Sequence, residues 1–201
     1  MMPTIVLLTF AAAVGHPGHG SEIERAAQVE VSPAAIEVTY YVGLSGTTMR
    51  AELARFGPGG DAAGGGADPV SEQAQRERYA AALAERLPGG LAVSVDGTPV
   101  RLETVRTQVI PRRGSIVEVT LAADWPAAGR TPGPSTLTVT DRFLGDREGG
   151  WKVAVRGRGG VDVSGEGVAP ILIRAERHDM GHLDGPARAA AATVTATIVR
   201  P

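Results

Sequence analysis

The residues best suited to chemistry in this 201-residue chain are its four histidines, which fall in two clusters. In the first, His16 and His19 flank a Pro-Gly pair, and this pair at the two central positions is typical of a type II turn. Such a turn holds its outer Cα atoms within about 7 Å, so two imidazoles can reach one ion. The sequence therefore predicts a candidate metal site here, with a flexible polar terminus that binds metal weakly as the alternative.

A third nitrogen ligand at this turn depends on where the N-terminal leader ends. Residues 5–14 form an apolar run about half as long as the roughly 20 residues of a transmembrane helix, which is typical of a signal peptide. Cleavage after Gly15 would give His16 a free amine, whose pKa of about 8 leaves a neutral fraction at pH 7. Cleavage after Ala13 would leave Val14 first, and a buried N-terminal strand or helix is the other interpretation. A nitrogen-rich site favours Cu(II), Ni(II) or Zn(II) over Mg or Ca.

The second cluster consists of His178 and His182, four residues apart in the segment RHDMGHLDG. On an extended strand they would lie about 13 Å apart, too far to share an ion, whereas a helical turn would place both on one face. Gly181 favours a loop, which allows either arrangement. The alternative is an ordinary surface loop between two strands.

The composition and the absence of certain motifs argue against several classes of function. The chain has no cysteine, which excludes disulfides, cysteine nucleophiles and thiolate metal sites. Its net charge of −2 gives no reason to expect binding to nucleic acid. There is no Gly-x-Ser-x-Gly elbow and no phosphate-binding GxxxxGK[ST] loop. We interpret Asp141, beside Arg142 and near Arg147, as a turn or ion-pair residue, and we predict a non-catalytic protein.

Alternation of apolar and polar residues dominates the chain after the leader and predicts short strands separated by Gly and Pro turns. SEQAQRERYAAALAERL is the exception and predicts one helix at about residues 71–87, ending at Pro88. We predict a mainly β fold, an antiparallel immunoglobulin-like β-sandwich with this one inserted α-helix. The expected organisation is a signal peptide at 1–15 and a single domain at 16–201, with a loop–helix insertion at 54–88. The predicted strands are Ala27–Val31, Ile36–Leu44, a hairpin around Asp96-Gly97, Val105–Ile110, Ile116–Ala122, Thr136–Thr140, Trp151–Val155, Val161–Val163, Ile171–Ala175 and Thr193–Val199.

Several segments in succession resemble the extracytoplasmic N-terminal domain that precedes the membrane part of nickel/cobalt efflux transporters of the NicO type. They are HPGHGSEIERAAQVEVSPAAIEVTYYVGL, SEQAQRERYAAALAERL, GLAVSVDGTPVRL, LTVTDRF and GGWKVAV. The similarity covers roughly residues 16–156 and rests on the order of the segments rather than on one motif. It implies an exported domain, periplasmic or otherwise extracytoplasmic, that handles a transition metal ion (Ni, Co, Cu or Zn) beside a membrane transporter.

The chain departs from these transporters in two ways. No segment after the leader is long and apolar enough to span a membrane, so we expect no ion translocation by this chain itself. The segment before the helix resembles a calcium-binding loop, with Asp61, Gly66 and Glu72 at its first, sixth and twelfth positions. Ala63 and Gly65 take the third and fifth positions, where oxygen ligands are expected, so we predict no calcium binding.

These patterns together predict an exported, non-catalytic β-sandwich that serves as an accessory or metal-handling module for a membrane transporter. The candidate metal ligands are His16, His19, His178 and His182. Two alternatives stay open. One is a structural or interaction domain that binds no metal, and the other is a gene fragment of a longer transporter.

Overall fold

The structure is a computed structural model that describes residues 23–44, 46–56, 72–112, 114–125, 133–143, 151–165, 172–176 and 193–201. Within these ranges the chain forms strands and two helices, and every strand predicted from the alternation overlaps an observed one. The strands are β1 (Glu24–Val31), β2 (Ala35–Leu44), β3 (Leu91–Val95), β4 (Thr98–Val100), β5 (Glu103–Arg112), β6 (Gly114–Asp124), β7 (Pro134–Asp141), β8 (Trp151–Gly157), β9 (Asp162–Ser164), β10 (Leu172–Glu176) and β11 (Thr193–Val199). The helices are α1 (Gly46–Phe56) and α2 (Glu72–Gly90).

The strands form two sheets. The first sheet has the order β10-β8-β1-β2-β6-β5, and the second has the order β4-β3-β7-β11-β9. Among the described pairings, β1 with β8 is the parallel one, placing Arg25 opposite Trp151 and Val31 opposite Gly157. The others are antiparallel. The predicted mainly β sandwich is therefore confirmed, with one parallel pairing added to its antiparallel pattern.

Both sheets contribute to one apolar core. Side chains alternate between the two faces of a strand, so every second residue points toward the other sheet. On β1 these include Ala27 and Val29, and on β7 they include Leu137 and Val139, all fully buried in the same cluster. Trp125 is also buried there, and its indole N–H donates to the carbonyl of Ser32.

Helix α2 packs on β5 and β6 of the first sheet and also contacts β3 of the second. Its buried residues Tyr79, Leu83 and Leu87 recur at four-residue spacing, which places them on one face of the helix. The predicted helix is therefore confirmed, and it closes one side of the space between the two sheets.

The predicted end of this helix at Pro88 is wrong, because α2 continues to Gly90. Proline has no N–H, so the carbonyl of Ala84, four residues earlier, loses its helical donor. The side-chain Oγ1 of Thr104, at the start of β5, donates to that carbonyl over 2.9 Å. A hydroxyl from a neighbouring strand thus replaces the missing bond, which lets the last helical turn form.

Helix α1 was not predicted, and residues 54–56, which the sequence assigned to the loop, form its last turn. Gly46 and the threonines at its start disfavour a helix, which concealed it. The signal that identifies it is the spacing of Met49, Leu53 and Phe56, which recur after four and three residues. Met49 is fully buried in the core, and α1 packs against α2. Of the helices in the described ranges, neither combines the length and apolar character that crossing a membrane requires.

The hairpin predicted at Asp96-Gly97 is also present, joining β3 to β4. Asp96 has a φ of 51° and Gly97 a φ of 76°. Positive φ at both central residues is the property of the type I′ turn, whose twist matches that of the flanking strands. The side chain of Asp96 also accepts a hydrogen bond from the backbone N–H of Thr136, which ties the turn to β7.

Candidate functional site

The four predicted metal ligands, His16, His19, His178 and His182, lie outside the described residues. The same holds for residues 61–71 of the calcium-like segment. The metal site and the lack of calcium binding therefore stay predictions. Within the part of the chain that the structure describes, no group of three or more His, Cys, Asp or Glu side chains could hold a metal ion. The polar groups that the fold does bring together lie in the core and on the outer face of the first sheet.

The core contains a cluster of Arg25, Tyr40 and Asp141, which we call the core polar cluster. Arg25 lies on β1 at a position that alternation directs inward, and it is 1% exposed. Tyr40 on β2 is fully buried, and Asp141, the last residue of β7, is 2% exposed. A charged residue is almost never buried to this degree unless it is paired. The geometry shows how these residues are paired.

Asp141 accepts bonds at both carboxylate oxygens. The Tyr40 hydroxyl donates to Oδ2 over 2.6 Å, and the backbone N–H of Phe143 donates to Oδ1 over 2.8 Å. Arg25 Nη1 lies 3.9 Å from Oδ2 and donates to the Phe143 carbonyl over 2.9 Å. The Phe143 ring packs edge-on against the Tyr40 ring. Asp141 and the Phe143 backbone therefore link the arginine to the tyrosine.

This cluster connects the two sheets, because Arg25 and Tyr40 belong to the first sheet and Asp141 to the second. Burying one charge costs several kcal/mol, and only close pairing with hydrogen bonds offsets that cost. Among the described residues, Nε and Nη2 of Arg25 have no hydrogen-bond partner. Asp141 and the carbonyl of Phe143 therefore offset the cost of burying the Arg25 guanidinium.

Burial also sets the ionisation of the tyrosines in this region. It is the largest cause of the raised pKa of Tyr40, which the negative charge of Asp141 raises further and Arg25 lowers. Burial likewise raises the pKa of Tyr79, against the opposing charge of Arg25. The Tyr40 phenol thus stays protonated and keeps its role as a donor. Because the core polar cluster exposes almost no surface, its groups act on one another rather than on a dissolved ligand.

A second polar group lies on the outer face of the first sheet, around Glu30 on β1. Arg156 and Arg158 both form ion pairs with its carboxylate, and Gln28 Nε2 donates to Oε1 over 2.6 Å. Burial, together with the neighbouring charge of Arg158, lowers the pKa of Arg156. Glu37 lies directly opposite Glu30 on β2 and brings a second negative charge. The positive charges of Arg156 and Arg158 thus match in number the negative charges of Glu30 and Glu37 on β1 and β2.

A third group surrounds Glu118 on β6, which is 2% exposed. Arg106 Nη2 donates to Glu118 Oε1 over 2.8 Å. Burial raises the pKa of Tyr41 to about 12, and the charge of Glu118 and its hydrogen bond with the phenol add to the effect. The carboxylate therefore joins β2, β5 and β6 on the outer face.

The edge strand β5 lies beside a groove of about 450 Å³. A register shift between Thr104 and Arg106 leaves Val105 without a partner on β6, and Val105 is 59% exposed. Bulges and charged side chains on edge strands are known devices against unwanted pairing, and both occur here. The groove is lined by Ala35, Pro99, Val100, Arg101, Glu103, Val105, Ala122, Ala123 and Asp124.

Sequence reasoning did not identify Arg25 as a core residue, although a signal was present. Arg25 interrupts an alternation in which Ile23, Ala27 and Val29 take the inward positions. A charged residue at such a position points either to an error in the predicted pattern or to a buried ion pair. The structure shows the ion pair.

For Asp141, the predicted turn or ion-pair role is confirmed, because its Oδ1 accepts from the backbone N–H of Phe143 two residues on and its Oδ2 pairs with Arg25 on a distant strand. Of the two neighbouring arginines that the sequence suggested, Arg142 and Arg147, the second lies outside the described residues. Sequence proximity could not reveal Arg25 as a partner, because only the packing of the two sheets brings the residues together.

Comparisons with protein-family models, with curated proteins and with solved structures each found no match. The resemblance to the extracytoplasmic domain of nickel/cobalt transporters therefore rests on the segments of this sequence alone.

Proposed function

We propose that this chain is an exported, non-catalytic β-sandwich domain that works as an accessory or metal-handling module beside a membrane transporter. The observation that carries the proposal is that separate segments of the resemblance meet in the core polar cluster. Arg25 and Tyr40 come from the first segment and Asp141 from LTVTDRF, and the cluster joins both sheets. This supports treating the resembling segments as parts of one folded domain rather than as unrelated short similarities.

Export is the second part of the proposal, and the apolar run at residues 5–14 supports it. If the leader is removed after Gly15, the mature chain begins with His16. Its amine and the imidazoles of His16 and His19 would then supply three nitrogen ligands in one short turn. Such a set suits Ni(II), Cu(II) or Zn(II), and the domain would hold the ion beside its partner transporter.

The proposal is tested by calorimetric titration of the exported protein, after its N-terminus has been sequenced, with Ni(II), Co(II), Cu(II) and Zn(II). We expect at least one ion to bind more tightly than about 1 mM, equivalent to about −4 kcal/mol. The variant His16→Ala/His19→Ala should weaken this binding at least about tenfold, because both imidazoles of the turn are lost.

The matched control is the variant His178→Ala/His182→Ala, which removes the same number of imidazoles from the other cluster. Unchanged affinity in this control places the ion at the N-terminal turn, and a loss confined to it places the ion at the second cluster instead. If the unaltered protein binds none of the four ions, metal handling is wrong and an interaction domain without metal takes its place. Polytopic hydrophobic segments in an adjacent reading frame would favour the fragment interpretation.

A further inference from the structure

No further inference is drawn: the strongest candidate, the exposed edge of β5 with the groove beside Val105, is unpartnered among the described strands and nothing in the structure shows what covers it.

Discussion

At the scale of single residues, the buried carboxylates Asp141 and Glu118 each lie beside an arginine and a tyrosine. The chain has three tyrosines, Tyr40, Tyr41 and Tyr79, and burial raises the pKa of each. Two of them also lie close to a carboxylate, Asp141 or Glu118, whose charge raises the pKa further. The ionisation of the phenols is therefore coupled to the folded state.

We predict that the folded protein shows almost no tyrosinate absorbance at pH 10 to 11, where ordinary tyrosines with a pKa of about 10 ionise. The stability contributed by the raised pKa values is fully present below about pH 10. It is lost as the pH rises toward the folded value of Tyr41, about 12, because the unfolded chain releases its protons first. A spectrophotometric titration, with the protein in urea as the control, measures this. Tyrosinate forming with a midpoint of about 10 in the folded protein would contradict the assignment.

The core polar cluster makes a separate prediction. The substitution Asp141→Asn removes the charge that offsets Arg25, and breaking a buried pair from one side typically costs about 3–5 kcal/mol. The measurement is the free energy of unfolding from urea denaturation. Asp124→Asn, an exposed change of the same type on β6, should stay within about 0.5 kcal/mol of the unaltered protein.

A double variant separates charge pairing from simple loss of packing. Arg25→Met combined with Asp141→Asn removes both charges, so its cost should be smaller than the sum of the two single costs. Additive costs would mean that Arg25 and Asp141 do not stabilise each other.

At the scale of elements, the C-terminal end of α2 packs closely against Phe143, which lies two residues after Asp141 of the core polar cluster. A Cβ placed on Gly90 would lie 2.7 Å from Cβ and 2.8 Å from Cδ2 of Phe143. The Gly90 carbonyl also accepts a hydrogen bond from the backbone N–H of Arg142 over 2.7 Å. Position 90 therefore has no space for a side chain, whereas a Cβ placed on the neighbouring Gly89 would meet no atom within 4 Å.

We predict that Gly90→Ala destabilises the protein by about 1–3 kcal/mol, because the new methyl group overlaps the Phe143 side chain. Gly89→Ala is the matched control, one residue away in the same helical turn. It should be neutral or stabilising by up to about 1 kcal/mol, because alanine favours helix and finds open space. Equal effects of the two changes in thermal unfolding would contradict the proposed contact.

The elements also show how far the sequence predicts this fold. Strands, the Asp96-Gly97 turn and most of α2 follow from local patterns, because alternation, turn chemistry and helical spacing act over a few residues. The continuation of α2 through Pro88 does not, since it depends on Thr104 in another element. The core polar cluster does not either, because its charges meet only after the sheets pack. The four histidines of the candidate metal site were selected by residue type and spacing, and they stay predictions because they lie outside the described residues.

At the scale of the whole molecule, the two sheets and both helices share one apolar cluster. Residues from the first sheet, the second sheet, α1 and α2 all belong to it, for example Val38, Val93, Met49 and Leu83. Besides this shared core, the first sheet has a small buried cluster of Ala26, Tyr41 and Ile116 on its other face. Because the large core is shared by both sheets, we expect the described elements to unfold as one cooperative unit.

We predict a single unfolding transition in which tryptophan fluorescence and far-ultraviolet circular dichroism change at the same urea concentration. Coincident transitions from different probes are the expected behaviour of one cooperative unit of this size. The Asp141→Asn variant should move both curves together to lower urea, because the cluster joins the sheets. Two separated midpoints would show instead that the sheets unfold independently.

The position of β1 between β2 and β8 has a consequence for the order in which the chain folds. β1 is the first described strand, yet its parallel neighbour β8 ends at Gly157, late in the chain. Joining them closes a long loop, and the conformational entropy lost in that closure opposes folding until the contacts between the two strands form. During synthesis from the N-terminus, β1 and β2 can pair early as a hairpin, but the first sheet cannot be completed until β8 and then β10 have emerged. We therefore expect that a nascent chain that ends before β8 cannot yet form the first sheet as it stands in the full chain, because β1 then lacks its parallel neighbour.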